Sequence, residues 1–127
     1  MYKEKINYIL KNAKKDKKVI AVALFGSSLK GKGRDIDLCF FLDKKYPNIQ
    51  MSKTKLKFLK EINDSDKIDI KIFQQLPIYI RSKILKEGKI LFCKDEETLY
   101  DIAFKTIKEF NSYKKLYDMY LQEVENG

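Results

Sequence analysis

Residues 22–42 read VALFGSSLKGKGRDIDLCFFL, a stretch in which two apolar runs flank a polar, glycine-rich loop. The first run begins earlier, at Val19, and its continuous apolar and β-branched residues predict a buried strand that ends before Gly26. The second run, from Ile36 to Leu42, predicts another buried strand. The stretch therefore predicts two buried strands joined by a loop whose composition suits ligand binding.

The loop between the two runs carries residues suited to phosphate. Gly26 has no Cβ, so the backbone can approach a ligand closely at this position. Ser27 and Ser28 can open a helical turn whose free N–H groups favour phosphate oxygens. Lys30 and Lys32 add positive charge beside that turn. These features are typical of a site that binds the triphosphate of a nucleotide.

Two carboxylates, Asp35 and Asp37, lie at the start of the second predicted strand. Side chains two residues apart on a strand project from the same face, so the two carboxylates are expected to lie together. Like charges that lie together favour a cation between them, and Mg²⁺ prefers one or two carboxylates together with substrate phosphates. The pair therefore predicts a Mg²⁺ site.

A third carboxylate is available in residues 67–73, KIDIKIF, whose alternation predicts an amphipathic strand. The isoleucines form one face, and Asp69 lies on the other between two lysines. If this strand lies beside the second buried strand, Asp69 can reach the same site. Two metal ions held by three carboxylates can clamp the attacking and leaving oxygens of a phosphoryl transfer. Asp69 would then bind or deprotonate the attacking hydroxyl.

The ordered set formed by Gly26-Ser27, Asp35-Ile36-Asp37 and Asp69 resembles the minimal nucleotidyltransferases of the DNA polymerase β superfamily. Within that superfamily the chain is most similar to small antitoxins that are paired with HEPN-domain ribonuclease toxins, and the resemblance covers most of the chain. It implies an α+β fold, with a small mixed sheet flanked by helices, as in the polymerase β palm, and a long C-terminal helix. It also implies that Ser27 binds phosphate and that the three aspartates bind metal.

The resemblance implies an activity as well. Such antitoxins transfer AMP from ATP, with two Mg²⁺ ions, to a tyrosine of the HEPN toxin, in a type VII toxin–antitoxin system. The chain departs from the family in two places: its loop from Ser28 to Arg34 is shorter, and Lys30 replaces an arginine. Two alternatives stay open: an inactive antitoxin that neutralises its partner by binding alone, and nucleotidyl transfer to a small molecule or an RNA end.

The remaining periodicity predicts helices and one more strand within a single domain, residues 1–127. Ser52 is the expected N-cap of a helix that ends near Ile62, and residues 63–66 are expected to form a turn. The other predicted elements are a helix over 2–16, a helix from Pro77 to Gly88, a strand over 89–93 and a helix over about 95–123.

The last predicted helix carries an apolar stripe with Tyr113, Tyr117 and Tyr120 in its second half. The other members of the stripe are Leu99, Ile102, Ala103, Ile107, Phe110 and Leu116. The second half extends beyond what a domain of this size requires. Two interpretations are open: the stripe belongs to the core or to a homo-oligomer contact, or it is a docking surface for the toxin.

Composition narrows the remaining classes of function. The 127 residues contain no histidine and two cysteines, which argues against a zinc site or a disulfide scaffold. The net charge of +9 is carried almost entirely by lysines spread over several elements, so we expect solvated faces and at most weak, non-specific contact with nucleic acid. No apolar stretch approaches the roughly 20 residues needed to cross a bilayer, and we expect a cytoplasmic protein without membrane contact.

Overall fold

The fold is taken from a computed structural model, which describes residues 2–26, 36–63 and 67–126. Its elements follow the predicted order of helices and strands. They are α1 (Tyr2–Lys15), β1 (Val19–Phe25), β2 (Ile36–Leu42), α2 (Asn48–Leu59), β3 (Ile68–Ile72), a short 3₁₀ turn (Phe73–Gln75), α3 (Ile78–Glu87), β4 (Lys89–Cys93) and α4 (Glu96–Asn126).

Within the described residues, four strands form one mixed sheet in the order β3-β2-β1-β4. Strand β1 pairs antiparallel with both β2 and β4, whereas β2 and β3 run parallel. The starts of β2 and β3 and the end of β1 consequently meet at one end of the sheet. The predicted α+β fold with a small mixed sheet and a long C-terminal helix is confirmed.

The sheet is covered on both faces, because the strands β1 and β2 are apolar on both sides. Helices α1 and α2 pack on one face, where Phe58 meets Phe40 edge to face at 4.9 Å between ring centroids. Helices α3 and α4 pack on the other face, where Phe41 stacks on Phe73 at 4.4 Å. Side chains alternate along β2, so Asp37 shares a face with Phe41 on the α3–α4 side.

Helix α2 corrects one prediction, because it begins at Asn48 and Ser52 is therefore not its N-cap. Pro47 precedes the helix in an extended conformation, and its carbonyl accepts hydrogen bonds from the N–H groups of Gln50 and Met51. The fixed φ of proline suits a helix start, so Pro47 is the signal that marks the beginning of α2. The hydroxyl of Ser52 instead accepts a hydrogen bond from Gln75 Nε2 at 2.9 Å. The helix ends at Leu59, earlier than predicted.

The first half of α4 packs on the sheet through Leu99 and Ile102 of the predicted stripe, and through Thr106, which the stripe did not include. Ile102 and Thr106 are buried, whereas the side chain of Ile107 is 49% exposed, so its assignment to the packed stripe is wrong. Thr106 is tolerated in the core because its hydroxyl donates a hydrogen bond to the carbonyl of Ile102 at 2.8 Å. Across the described residues, none of the helices combines the length and apolar composition needed to span a membrane.

Asp16, in the turn after α1, links three parts of the fold. Its side chain is 7% exposed and accepts hydrogen bonds from the Lys18 N–H at 2.9 Å and from Lys57 Nζ at 3.0 Å. Burial alone would raise the pKa of Asp16, but the hydrogen bonds from Lys18 and Lys57, with the charges of both lysines, hold it below its ordinary value.

Because the pKa of Asp16 is lower in the folded state, its ionised form stabilises the fold above the unfolded pKa, about 3.9. This contribution is lost as the pH falls through the folded pKa. We expect Asp16→Asn to reduce the free energy of unfolding by about 1 kcal/mol at neutral pH. Urea denaturation of both proteins at neutral pH and near pH 3 measures the difference, which should shrink in acid. A difference that stays constant would contradict the role of the charge.

Candidate active site

Asp37 and Asp69 come together at the end of the sheet where β2 and β3 begin. They are direct register partners in the parallel pair of strands, and neighbouring strands lie roughly 4.8 Å apart. Paired residues on adjacent strands project from the same face, so both carboxylates belong to the α3–α4 side of the sheet. Asp37 is half-buried, and the side chain of Asp69 is 45% exposed. This register allows the two carboxylates to share one cation.

The two carboxylates line an open cleft of about 480 Å³ at this end of the sheet. An apolar wall is formed by Leu59, the last residue of α2, and Ile62, three residues further along the chain. The rest of the lining is Asn63, Lys67 and Ile68. A cleft with one apolar wall and convergent charged groups is the usual form of a small-molecule site.

Gly26 supports Asp37 directly. It ends β1 with a φ of +88°, in the left-handed region, and a Cβ built at this position would collide with Oδ2 of Asp37 and lie 3.3 Å from its Cγ. Glycine is therefore required here both by the backbone angle and by the neighbouring carboxylate. The sequence predicted only that Gly26 gives phosphate close access to the backbone, and that function stays a prediction.

Four of the predicted site residues lie outside the described residues, namely Ser27, Ser28, Lys30 and Asp35. Their roles in binding phosphate and metal stay predictions. Within residues 2–26, 36–63 and 67–126, no group of three or more histidine, cysteine, aspartate or glutamate side chains lies close enough to hold a metal ion. The described part of the site thus offers two carboxylates, those of Asp37 and Asp69.

The chemistry of these donors fits Mg²⁺. Carboxylate oxygens are the ligands that Mg²⁺ prefers, and it binds with one or two of them plus substrate phosphates and water. Asp37 and Asp69 share one face of the sheet and both line the open cleft at its end, so a nucleotide can complete such a coordination shell. Asp35, two residues before Asp37, is the predicted third ligand.

Two lysines at the site were not singled out from the sequence. Lys71 Nζ lies 3.2 Å from Oδ2 of Asp69, and Lys67 lines the cleft with a φ of +54°. The alternation of residues 67–73 does place Lys67, Asp69 and Lys71 on one face. However, lysines on the polar face of a strand are ordinary, and neither the ion pair nor the unusual backbone angle has a sequence signal.

The second half of α4 leaves its tyrosines exposed. Tyr113, Tyr117 and Tyr120 are 44%, 50% and 63% exposed, and Tyr113 stacks on Tyr117 at 6.2 Å between ring centroids. The interpretation that they belong to the core of the domain is wrong. The alternatives that remain are a contact with a second copy and a docking surface for another protein.

The fold and the paired carboxylates are typical of a nucleotidyltransferase. Residues 4–97 match the family model described as Polymerase beta, Nucleotidyltransferase, and the chain belongs to this family. The resemblance drawn from the Gly-Ser and Asp-x-Asp motifs is therefore confirmed at the level of the family. The chain is accordingly an enzyme of the nucleotidyltransferase class by descent.

Individual proteins similar to this chain include one curated relative and several solved structures. The chain is 34% identical over 102 residues to a presumed protein adenylyltransferase, MJ1547, from Methanocaldococcus jannaschii, covering 77% of this chain and 75% of the relative. A crystal structure of a toxin–antitoxin with AMP-PNP has a similar fold, with a TM-score of 0.67 and 19% identity over 95% of this chain and 96% of that one. A structure of a tri-AMPylated Shewanella oneidensis HEPN toxin with an MNT antitoxin is also similar, with a TM-score of 0.67 and 19% identity over 98% of both chains.

Proposed function

We propose that this chain transfers AMP from ATP to a tyrosine hydroxyl of a HEPN-domain toxin, and so acts in the cytoplasm as the antitoxin of a type VII toxin–antitoxin pair. The observation that carries the proposal is the register of Asp37 and Asp69 in an open cleft of a polymerase β family chain. The similarity to an adenylyltransferase supports the reaction, and the similarity to a HEPN toxin–antitoxin complex supports the partner.

The reaction is an in-line displacement at the α-phosphorus of ATP. The acceptor oxygen forms a bond to that phosphorus, the bond to the oxygen that bridges to the β-phosphorus breaks, and pyrophosphate leaves. Asp69 accepts the proton of the attacking hydroxyl or holds that hydroxyl in place. When bound, Mg²⁺ neutralises charge on the phosphates. Asp35, Asp37 and Asp69 would hold two such ions, with Gly26, Ser27, Ser28 and Lys30 at the phosphates.

The acceptor comes from another protein. We propose that residues 1–127 form a single catalytic domain, whose cleft is open to a partner at the site end of the sheet. The second half of α4 offers a further surface for that partner, because Tyr113, Tyr117 and Tyr120 expose large apolar areas. Exposed aromatic side chains are enriched in protein interfaces.

The test is the intact mass of a HEPN-domain protein after incubation with this chain, ATP and Mg²⁺. A parallel incubation uses a variant in which Asp35, Asp37 and Asp69 are all replaced by Asn. We expect the toxin to gain one or more AMP masses with the wild-type chain only, because the three carboxylates hold the metal and the nucleophile.

The other outcomes separate the alternatives. A stable complex without any mass gain would favour an antitoxin that neutralises its partner by binding alone. A mass gain with the triple variant would contradict the carboxylate mechanism. A screen of small molecules and RNA ends without the partner tests the third alternative. Consumption of ATP in that screen would indicate that a small molecule or an RNA end is the acceptor.

A further inference from the structure

We infer that Lys71 is a resident counter-ion of Asp69, which a divalent cation must displace before the carboxylate can bind metal. The inference rests on the proposed function, since it concerns the metal site of that reaction. It adds a residue that no motif of the site includes, and it assigns that residue a defined effect on metal affinity.

The geometry places Lys71 on the same face of β3 as Asp69, two residues further along the strand. Its Nζ lies 3.2 Å from Oδ2 of Asp69, which is ion-pair distance. The side chains of Lys71 and Asp69 are 40% and 45% exposed, so the pair lies at the surface and can separate into solvent. Because β3 is an edge strand, the ammonium can leave without disturbing the rest of the sheet.

The residue opposite Lys71 on the neighbouring strand cannot take the place of Asp69 as its partner. This residue is Cys39, the register partner of Lys71, which is fully buried. Its side chain packs in the core on the α3–α4 side of the sheet, so it presents no exposed negative group to Lys71. The carboxylate of Asp69 is therefore the negative group at this position that Lys71 contacts.

An ion pair as exposed as this one contributes little free energy, so it can hold Asp69 without blocking the site. A divalent cation competes with the ammonium for the same carboxylate oxygens and is also repelled by its charge. Both effects weaken metal binding in the free chain. A nucleotide that brings its own phosphates to the metal adds ligands and overcomes this competition. The arrangement thus favours loading of metal together with nucleotide over loading of metal alone.

The test is a Mn²⁺ titration of the free chain, followed by the electron paramagnetic resonance signal of unbound Mn²⁺, at roughly physiological ionic strength. Lys71→Met removes both the competition and the repulsion, so we expect a dissociation constant roughly three- to tenfold lower than that of the wild type. Lys71→Arg keeps the positive charge and should keep the wild-type affinity. Lys115→Met, on the exposed second half of α4, makes the same change in net charge and should also leave the affinity unchanged.

Two results would overturn the inference. If Asp69→Asn weakens Mn²⁺ binding but Lys71→Met does not strengthen it, Asp69 is a metal ligand but Lys71 does not compete with the metal for it. If Asp69→Asn leaves Mn²⁺ binding unchanged, Asp69 is not a metal ligand and the inference fails with it. Neither result decides whether AMP is transferred to the toxin, since the mass measurement answers that question separately.

Discussion

Asp37→Asn is expected to reduce the rate of AMP transfer about a thousandfold while the chain stays folded. Asparagine has nearly the same shape as aspartate, so the contact with Gly26 and the register with Asp69 should survive. In the proposed mechanism this site holds divalent metal beside the phosphates of ATP, and the substitution removes a negative charge from it. A loss of about 4 kcal/mol of transition-state stabilisation corresponds to this reduction. Single-turnover transfer to the toxin, followed by intact mass, measures the rate.

Asp43→Asn is the matched control for that experiment. Asp43 directly follows β2 at the opposite end of the strand, and its carboxylate contacts the Lys45 N–H at 3.2 Å. The same change of charge at this distant end should leave the transfer rate within a factor of about two, since surface substitutions have small effects. Transfer by Asp37→Asn at near the wild-type rate, with its fold intact by circular dichroism, would rule out a metal ligand at Asp37.

The sequence predicted the strands of the sheet well, because two physical signals are strong there. Residues 19–25 form a continuous apolar run, and residues 36–42 are apolar except for Asp37. These runs and the alternation at 67–73 are compatible with few structures other than strands. The structure has β1 and β2 at the predicted bounds, and buries Ile68, Ile70 and Ile72 as the alternation requires. The pairing of Asp37 with Asp69 then follows from placing β2 beside β3.

The sequence failed where a particular side-chain contact decides the outcome. Thr106 lies one turn after Ile102 on the buried side of α4, and its hydroxyl bonds to the Ile102 carbonyl. Apolar periodicity does not register a buried threonine. The ion pair of Lys71 with Asp69 depends on the side-chain conformations of two exposed residues. The requirement for glycine at position 26 depends on where a carboxylate from another strand comes to lie. The pattern of apolar and polar residues along the chain predicts none of these contacts.

Gly26→Ala is expected to reduce AMP transfer about a hundredfold by displacing Asp37. The new Cβ would meet the carboxylate of Asp37, which is the far end of a flexible side chain and can rotate away. A catalytic group displaced by about 1 Å can cost two orders of magnitude in rate. The left-handed φ of +88° adds a cost of about 1–2 kcal/mol for an L residue, so the melting temperature should fall as well. Transfer per folded molecule and thermal unfolding, measured on the same sample, separate the two effects.

Gly88→Ala is the control that makes this prediction specific. Its Cβ would lie 2.6 Å from the backbone carbonyl oxygen of Ile84, which cannot rotate away, so the end of α3 must shift and the fold is destabilised. Asp37 is not among the atoms that this Cβ approaches. We therefore expect Gly88→Ala to lower the melting temperature without changing the transfer rate per folded molecule, and Gly26→Ala to lower both. Equal losses of transfer in the two variants would indicate that Gly26 matters for the stability of the fold and not for the position of Asp37.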